Sequence, residues 1–217
     1  MRLSQMQIFS GTNESDCQRM IDCFKGEQRR YIAGETICQY GNSTKIGIVQ
    51  SGSVILVRID ISGNQSILDR IDEGGIFGET VAFSFPGSES IFAISEKDSE
   101  VIFIDYYHFA KRCSNACNCH SVVVENLLRL VADKAYQLSE KIEILSHRSI
   151  REKLMCYFRI ECSKNSSDNF VMPFSMTTLA DSICVDRSAM MREIKKMKDE
   201  KLISIENKKV TVLDSAV

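Results

Sequence analysis

Arg187, Ser188, Met191, Arg192 and Lys195 share one side of a helical period. Met190, Ile194 and Met197 recur at i, i+4 and i+7 on the other side, the spacing of a face that packs inward. A guanidinium presents a planar fork that matches guanine O6/N7 or a phosphate, so Arg187 and Arg192 are candidates for reading a duplex. Asp186, just ahead of them, can cap a helix running from Arg187 to Glu200. Upstream, Thr177–Ile183 reads as a short helix with Leu179, Ala180 and Ile183 on its inner face. Cys184-Val185 makes the turn. Thr177 and Thr178 open that first helix, where hydroxyls and free N–H groups suit a phosphate. Two helices joined by a tight turn, the second with arginines in its first two turns, is the layout for entry into a major groove. Leu202–Leu213 then reads as a hairpin with a basic-tipped turn at Glu206-Asn-Lys-Lys209, a wing. A generic helical pair with a solvated basic face would explain the charges, but not the order helix, turn, capped helix, hairpin.

A second group of residues could bind metal or respond to oxidants. Cys113, Cys117, Cys119 and His120 form C-x3-C-x-C-H, which matches no common zinc spacing. Metal or thiol-redox sensing through them is the alternative reading. The cysteine count is nine, an odd number, and no secretory signal is read at the start. A disulfide framework is therefore not expected, and a cytoplasmic location is. Cys17 and Cys23 fall on a stretch that reads as helix. Cys38, Cys156 and Cys162 lie in apolar stretches and are expected to be buried. His108, His120 and His147 form no local triad. No P-loop, GxSxG, HExxH or paired-carboxylate motif is present, so catalysis is not expected.

Other elements must position these residues. From about 30 to 105, glycine turns at Gly34, Gly41-Asn42, Gly52, Gly63-Asn64 and Gly74-Gly75 separate short runs, among them Ile46–Val49, Val54–Ile61, Ile67–Ile71 and Glu100–Asp105. This spacing predicts a small antiparallel barrel or sandwich, with a hairpin at Gly63-Asn64. From His120 to Ser146 there is neither Gly nor Pro. Val124, Leu128, Val131, Ala135, Leu138, Ile142 and Leu145 recur in steps of 4 and 3, the seam of a two-stranded coiled coil. An amphipathic helix lying on its own core is the other reading of that stretch. Ser149 and Glu152 fit a capping box for a further helix. From Arg148 onward there are 13 Lys and Arg against 10 Asp and Glu, a balance of +3, while the preceding 147 residues carry 14 against 19, or −5. The basic end coincides with the candidate reading helix, which permits nucleic-acid binding.

Ala180–Ala189, Arg192-Glu-Ile194 and Lys198–Ile203 resemble the winged helix-turn-helix of the CRP/FNR regulators. Ile48–Val54, Ile71–Glu79 and Glu100-Val101 are similar to that family's cyclic-nucleotide-binding β-roll. The resemblance implies an α+β chain: an antiparallel, jelly-roll-like β-roll sensor over 1–119, a central dimerisation helix over 120–146, and a winged helix-turn-helix over 147–217. It implies a homodimer on a near-palindromic double-stranded DNA site, under control of a small-molecule effector, with RNA polymerase as a further candidate partner. A ligand-binding module that does not bind DNA is a further alternative. At the positions of Arg187, Ser188 and Arg192 the family contacts bases or backbone; Met191 departs from the small polar residue common there. The family's phosphate cassette pairs Gly-Glu with an Arg about ten residues on. Here Gly78-Glu79-Thr80 is kept, but Glu89-Ser90 stands where Arg-Ser is expected, and Leu138 replaces a hydroxyl-bearing residue of the central helix. Cyclic AMP is therefore not the expected effector. The C-x2-C-x5-C run of the family's iron–sulfur oxygen sensors is absent.

Overall fold

Strand β8 (Ser99–Asp105) is buried on both faces, and this explains its unbroken apolar run. Side chains alternate along a strand. Val101 and Phe103 enter one core, Ile102 and Ile104 another. The partner strand β3 (Lys45–Ser51) does the same, with Val49 on the first side and Ile46 and Ile48 on the second. The protein is described here by a computed structural model covering residues 1–40, 45–79, 90–105, 107–108 and 118–213. By contacts it divides into two units, Met1–Asp133 and Lys134–Val217.

The first unit holds two antiparallel four-stranded sheets. In one, β1 (Glu27–Tyr31), β8, β3 and β6 (Ile76–Phe77) are neighbours in that order. In the other the order is β2 (Thr36–Gln39), β7 (Ile91–Ser95), β4 (Ser53–Ile59) and β5 (Gln65–Asp72). Tyr40, Val54, Leu56, Ile71, Phe77, Ala93 and Phe103 fill the space between the sheets. Gly47 lies opposite Phe77, and a Cβ there would run into the Phe77 ring, so the pair fits only because one member has no side chain. The hairpin expected at Gly63-Asn64 joins β4 to β5. Its loop is organised by Asp60, whose carboxylate accepts from the Ser62 and Asn64 amides at 2.8 and 2.9 Å. β1 was not anticipated, because four of its five residues are exposed and polar and show no apolar alternation.

Over the second face of β3 and β8 lie two 3-10 turns (Leu3–Gln5 and Gln7–Phe9), helix α1 (Glu14–Cys23) and the start of helix α2 (Asn118–Ser146). Val123 and Leu127 of α2 are buried there, and Asn126 Nδ2 donates to the Ile8 and Ser10 carbonyls at 3.1 and 2.8 Å. Val124 and Val131 of the heptad stripe pack against the same core. Val123 and Leu127 pack on the core, while Leu128, Leu138 and Ile142 of the heptad stripe are 65%, 59% and 68% exposed. Val124, Val131 and Leu145 are half-buried and Ala135 is exposed.

The second unit is built on helix α3 (Ile150–Lys164). The expected capping box is present: Ser149 Oγ accepts from the Glu152 amide at 3.2 Å, and Glu152 accepts from the Ser149 amide at 3.0 Å. Strand β9 (Asn169–Val171), helices α4 (Met176–Ser182) and α5 (Arg187–Asp199), and the hairpin β10 (Ile203–Glu206)–β11 (Lys209–Val212) complete it. Leu154, Phe158, Phe170, Leu179, Met190, Ile194, Met197 and Val210 form its core, with Ile144 of α2. β9 pairs with β11 and was not anticipated, because the polar run ahead of it reads as a loop. Cys38, Cys156 and Cys162, expected to be buried, are only half-buried: each sits at the margin of a core.

Candidate nucleic-acid interface

Helix α5 is held by its core face and leaves the opposite face open. Met190, Ile194 and Met197 are at most 4% exposed, whereas Arg187, Ser188, Met191, Arg192 and Lys195 are all exposed. Asp186 caps the helix: its Oδ1 accepts from the Ala189 amide at 2.8 Å and from Ser188 Oγ at 2.6 Å. These bonds hold the Asp186 carboxyl below the usual range, the Ser188 hydroxyl first and the Ala189 amide second. The Ser188 proton is thereby committed, and the hydroxyl must rotate before it can donate to a phosphate. Arg192 Nε donates to the Ser188 carbonyl at a long 3.4 Å, and the residue is exposed.

The turn before α5 takes the left-handed geometry that usually calls for glycine. Cys184 has φ 54°. The Val185 amide donates to the Ala180 carbonyl at 3.0 Å and the Cys184 amide to the Asp181 carbonyl at 3.2 Å, the two bonds of a Schellman termination. Lys153 of α3 closes the same helix end by donating to the Ile183 carbonyl at 3.1 Å. At the other end of α4, Ser175 is the cap. Its Oγ accepts the Thr178 amide at 3.1 Å and lies 2.9 Å from Thr178 Oγ1. Of the two threonines proposed for a phosphate, Thr178 is thus tied to the cap. Thr177 is exposed, and no described residue hydrogen-bonds its side chain. The wing turns on Asn207 and Lys208, at φ 46° and 69°, as in a two-residue hairpin of the primed type, with Lys208 and Lys209 exposed beside it.

A brace missing from the sequence reading joins α3 to the basic helix. Arg151 Nε donates to Glu193 at 2.6 Å, and its two terminal nitrogens reach Glu200 at 2.6 and 2.9 Å. No local pattern carries this signal, because the partners lie 42 and 49 positions away.

Residues 28–116 match the cyclic nucleotide-binding domain family. A protein of Porphyra purpurea named as an HTH-type transcriptional regulator is 26% identical over 178 residues, 79% of this chain and 72% of that one. The catabolite activator protein of Thermus thermophilus has the same fold, with a TM-score of 0.54 at 20% identity over 95% of this chain and 93% of that one. CprK, solved in complex with OCPA, gives 0.60 at 17% identity over 90% and 89%. Residues 28–116 thus carry a cyclic nucleotide-binding domain, and the chain shares the fold of these two solved proteins.

Gly78 and Glu79, two of the candidate effector residues, lie beside Tyr40. Gly78 has φ 83°, and a Cβ on it would collide with the Tyr40 hydroxyl. Glu79 is 2% exposed. Thr80 and Glu89 lie outside the described residues. Ser90 is half-buried, and its carbonyl accepts from the Ile59 amide at 2.9 Å. Leu138 belongs to the second unit and is exposed.

Of the cysteine cluster, Cys113 and Cys117 also lie outside the described residues. Cys119 is half-buried, and the buried His120 ring packs edge-on to Phe24 with centroids 5.0 Å apart. Cys17 and Cys23 lie on a helix, as expected. Burial pushes the Cys17, Cys38, Cys156 and Cys162 thiols up, which favours the less reactive protonated form. Among the described residues no three His, Cys, Asp or Glu side chains gather as a metal site. No helix among them is long and apolar enough to cross a membrane.

Proposed function

We propose that this chain is a homodimeric, cytoplasmic, sequence-specific DNA-binding regulator of transcription. Each protomer lays α5 in the major groove of a near-palindromic double-stranded site, with RNA polymerase as a further partner and no catalytic step. The observation that carries this reading is the exposed row Arg187, Met191, Arg192 and Lys195 on a capped helix whose other face is core. Arg187 and Arg192 would take base edges or phosphates, Lys195 and Thr177 phosphates. The basic wing tip would add backbone contacts. The printed name of the Porphyra relative, a helix-turn-helix regulator, supports this reading.

The two protomers would meet through the α2 stripe of Val124, Leu128, Val131, Ala135, Leu138, Ile142 and Leu145. Its exposed leucines and isoleucine have no cover within one chain. The effector would be a small molecule other than cyclic AMP. Glu89 stands where the family's cassette holds an arginine, and a carboxylate there repels the cyclic phosphate.

Selection from a randomised duplex library followed by a mobility-shift assay tests the reading. The selected site should have two related halves, and Arg187→Ala should remove the shift. Lys195→Ala should weaken binding evenly across sequences and reduce the salt slope by about one unit. Binding without dependence on salt or on Arg187 would refute it. Micromolar affinity for cyclic AMP in calorimetry would refute the effector part alone.

A further inference from the structure

A cavity of about 980 Å³ opens in the second unit between the last turns of α2, one face of α3 and the end of α5. That is room for a small metabolite with space to spare. Most of its charged lining is already committed. Lys164 pairs with Glu140 at 2.8 Å and with Glu161 at 3.2 Å. Arg151 is taken by Glu193 and Glu200, and Glu152 by the α3 cap. Two opposite charges remain. Arg159 has a buried Nη2 with no hydrogen-bond acceptor among the described residues. Glu143 makes no ion pair among them, and its carboxylate faces the Cys156 thiol, which Arg159 flanks as well. The Arg159 Nη2 is itself closed to solvent, but Arg159 lines the cavity and has no carboxylate partner among the described residues, so its guanidinium is available to a ligand carboxylate.

A cation and an anion bracketing one thiol, yet not joined to each other, fit a ligand that carries both charges on neighbouring atoms. Met155, Ile160 and Leu202 line the same cavity and offer apolar surface to the remainder of such a ligand. The several carboxylates around the cavity disfavour a bare phosphate or a dianion. We propose that this cavity binds a free apolar α-amino acid, with its carboxylate on Arg159, its ammonium on Glu143 and its side chain against Met155, Ile160 and Leu202. Arg151 lines the cavity too and braces α5, so occupancy would act on the basic helix from within its own unit. The site rests on the cavity and its two uncommitted charges, not on the DNA-binding reading, and direct binding tests it separately.

The experiment is calorimetry and thermal melting of the full chain with L-leucine, L-methionine and L-phenylalanine as probes. Controls are 4-methylpentanoate and 3-methylbutylamine, which are leucine without its amine and without its carboxylate, and inorganic phosphate. At least one amino acid should bind, and each single-charge analogue of leucine at least about tenfold more weakly than leucine itself. Arg159→Gln should weaken the amino acid by a similar factor. Glu143→Gln should do the same and narrow the gap between leucine and 4-methylpentanoate. Should the Arg159 variant fail to fold, Glu143→Gln and the analogue series decide. No binding by any amino acid at millimolar concentration, binding indifferent to both substitutions, or preference for phosphate would overturn the proposal.

Discussion

Arg151 grips Glu200 with a two-pronged fork, Nη1 to Oε2 at 2.6 Å and Nη2 to Oε1 at 2.9 Å, and so ties the first turn of α3 to the end of α5. Lysine carries the same charge but cannot form parallel bonds. Arg151→Lys should therefore lower the unfolding midpoint of the chain and speed amide exchange at the end of α5. The two groups are partly solvated, so the loss should be small. Glu200→Gln should act in the same direction, and the double variant should lose less than the two singles combined. Strict additivity would mean that the fork is not an energetic unit.

Cys184 occupies the left-handed position of the helix-turn-helix turn at φ 54°. A side chain there costs about 1 kcal/mol relative to glycine. The Cβ brings no compensating burial, since the residue is exposed. Cys184→Gly should raise stability in chemical denaturation by up to about 1 kcal/mol, less whatever the looser unfolded chain takes back. Equal or lower stability would mean that the thiol makes a contact worth more than the strain.

Much of this architecture could be read from periodicity. Met190, Ile194 and Met197 mark the inner face of α5, and Asp186 and Ser149 mark helix starts, because capping and helical spacing act over three or four residues. The 4-3 stripe of α2 was legible for the same reason. What escaped depends on distant partners. β1 has no apolar alternation and is defined by its register with β8, Glu27 opposite Phe103. β9 exists because Phe170 reaches the second core and pairs with Val210. The hydroxyls of Thr178 and Ser188 were readable as residue types. Their engagement by Ser175 and Asp186 was not, since whether a side chain caps or stays open depends on its rotamer.

The Asp186 cap predicts an acid response. Hydrogen bonds to its carboxylate hold the folded-state value below 3.8, the ordinary value taken for the unfolded chain. A depressed folded value stabilises the fold above the unfolded value, and the contribution disappears as pH falls through the folded one. The cap should therefore be at full strength at neutral pH and weaken below about pH 4. Asparagine caps nearly as well but does not ionise there. Asp186→Asn should leave the melting midpoint at pH 7 almost unchanged and flatten its decline between about pH 4 and 2. An unaltered acid limb would remove Asp186 as a contributor.

The α2 stripe makes the last prediction. Leu128, Leu138 and Ile142 expose more than half of their surface in the single chain, while Val123 and Leu127, on an adjoining face, are fully packed. A charge on the stripe should therefore leave the fold of one protomer intact and act only on association. Burying one Asp in such a seam without a partner costs several kcal/mol, enough to dissociate an ordinary dimer at micromolar concentration. Leu138→Asp should sediment as a monomer with an unchanged circular dichroism spectrum, and should bind a two-half site no more tightly than one half alone. Leu127→Asp, by contrast, should lose folded structure, because that side chain belongs to the core under α1. An intact Leu138→Asp dimer would place the interface elsewhere, and equal loss of structure in both variants would show that the stripe is packed against its own chain.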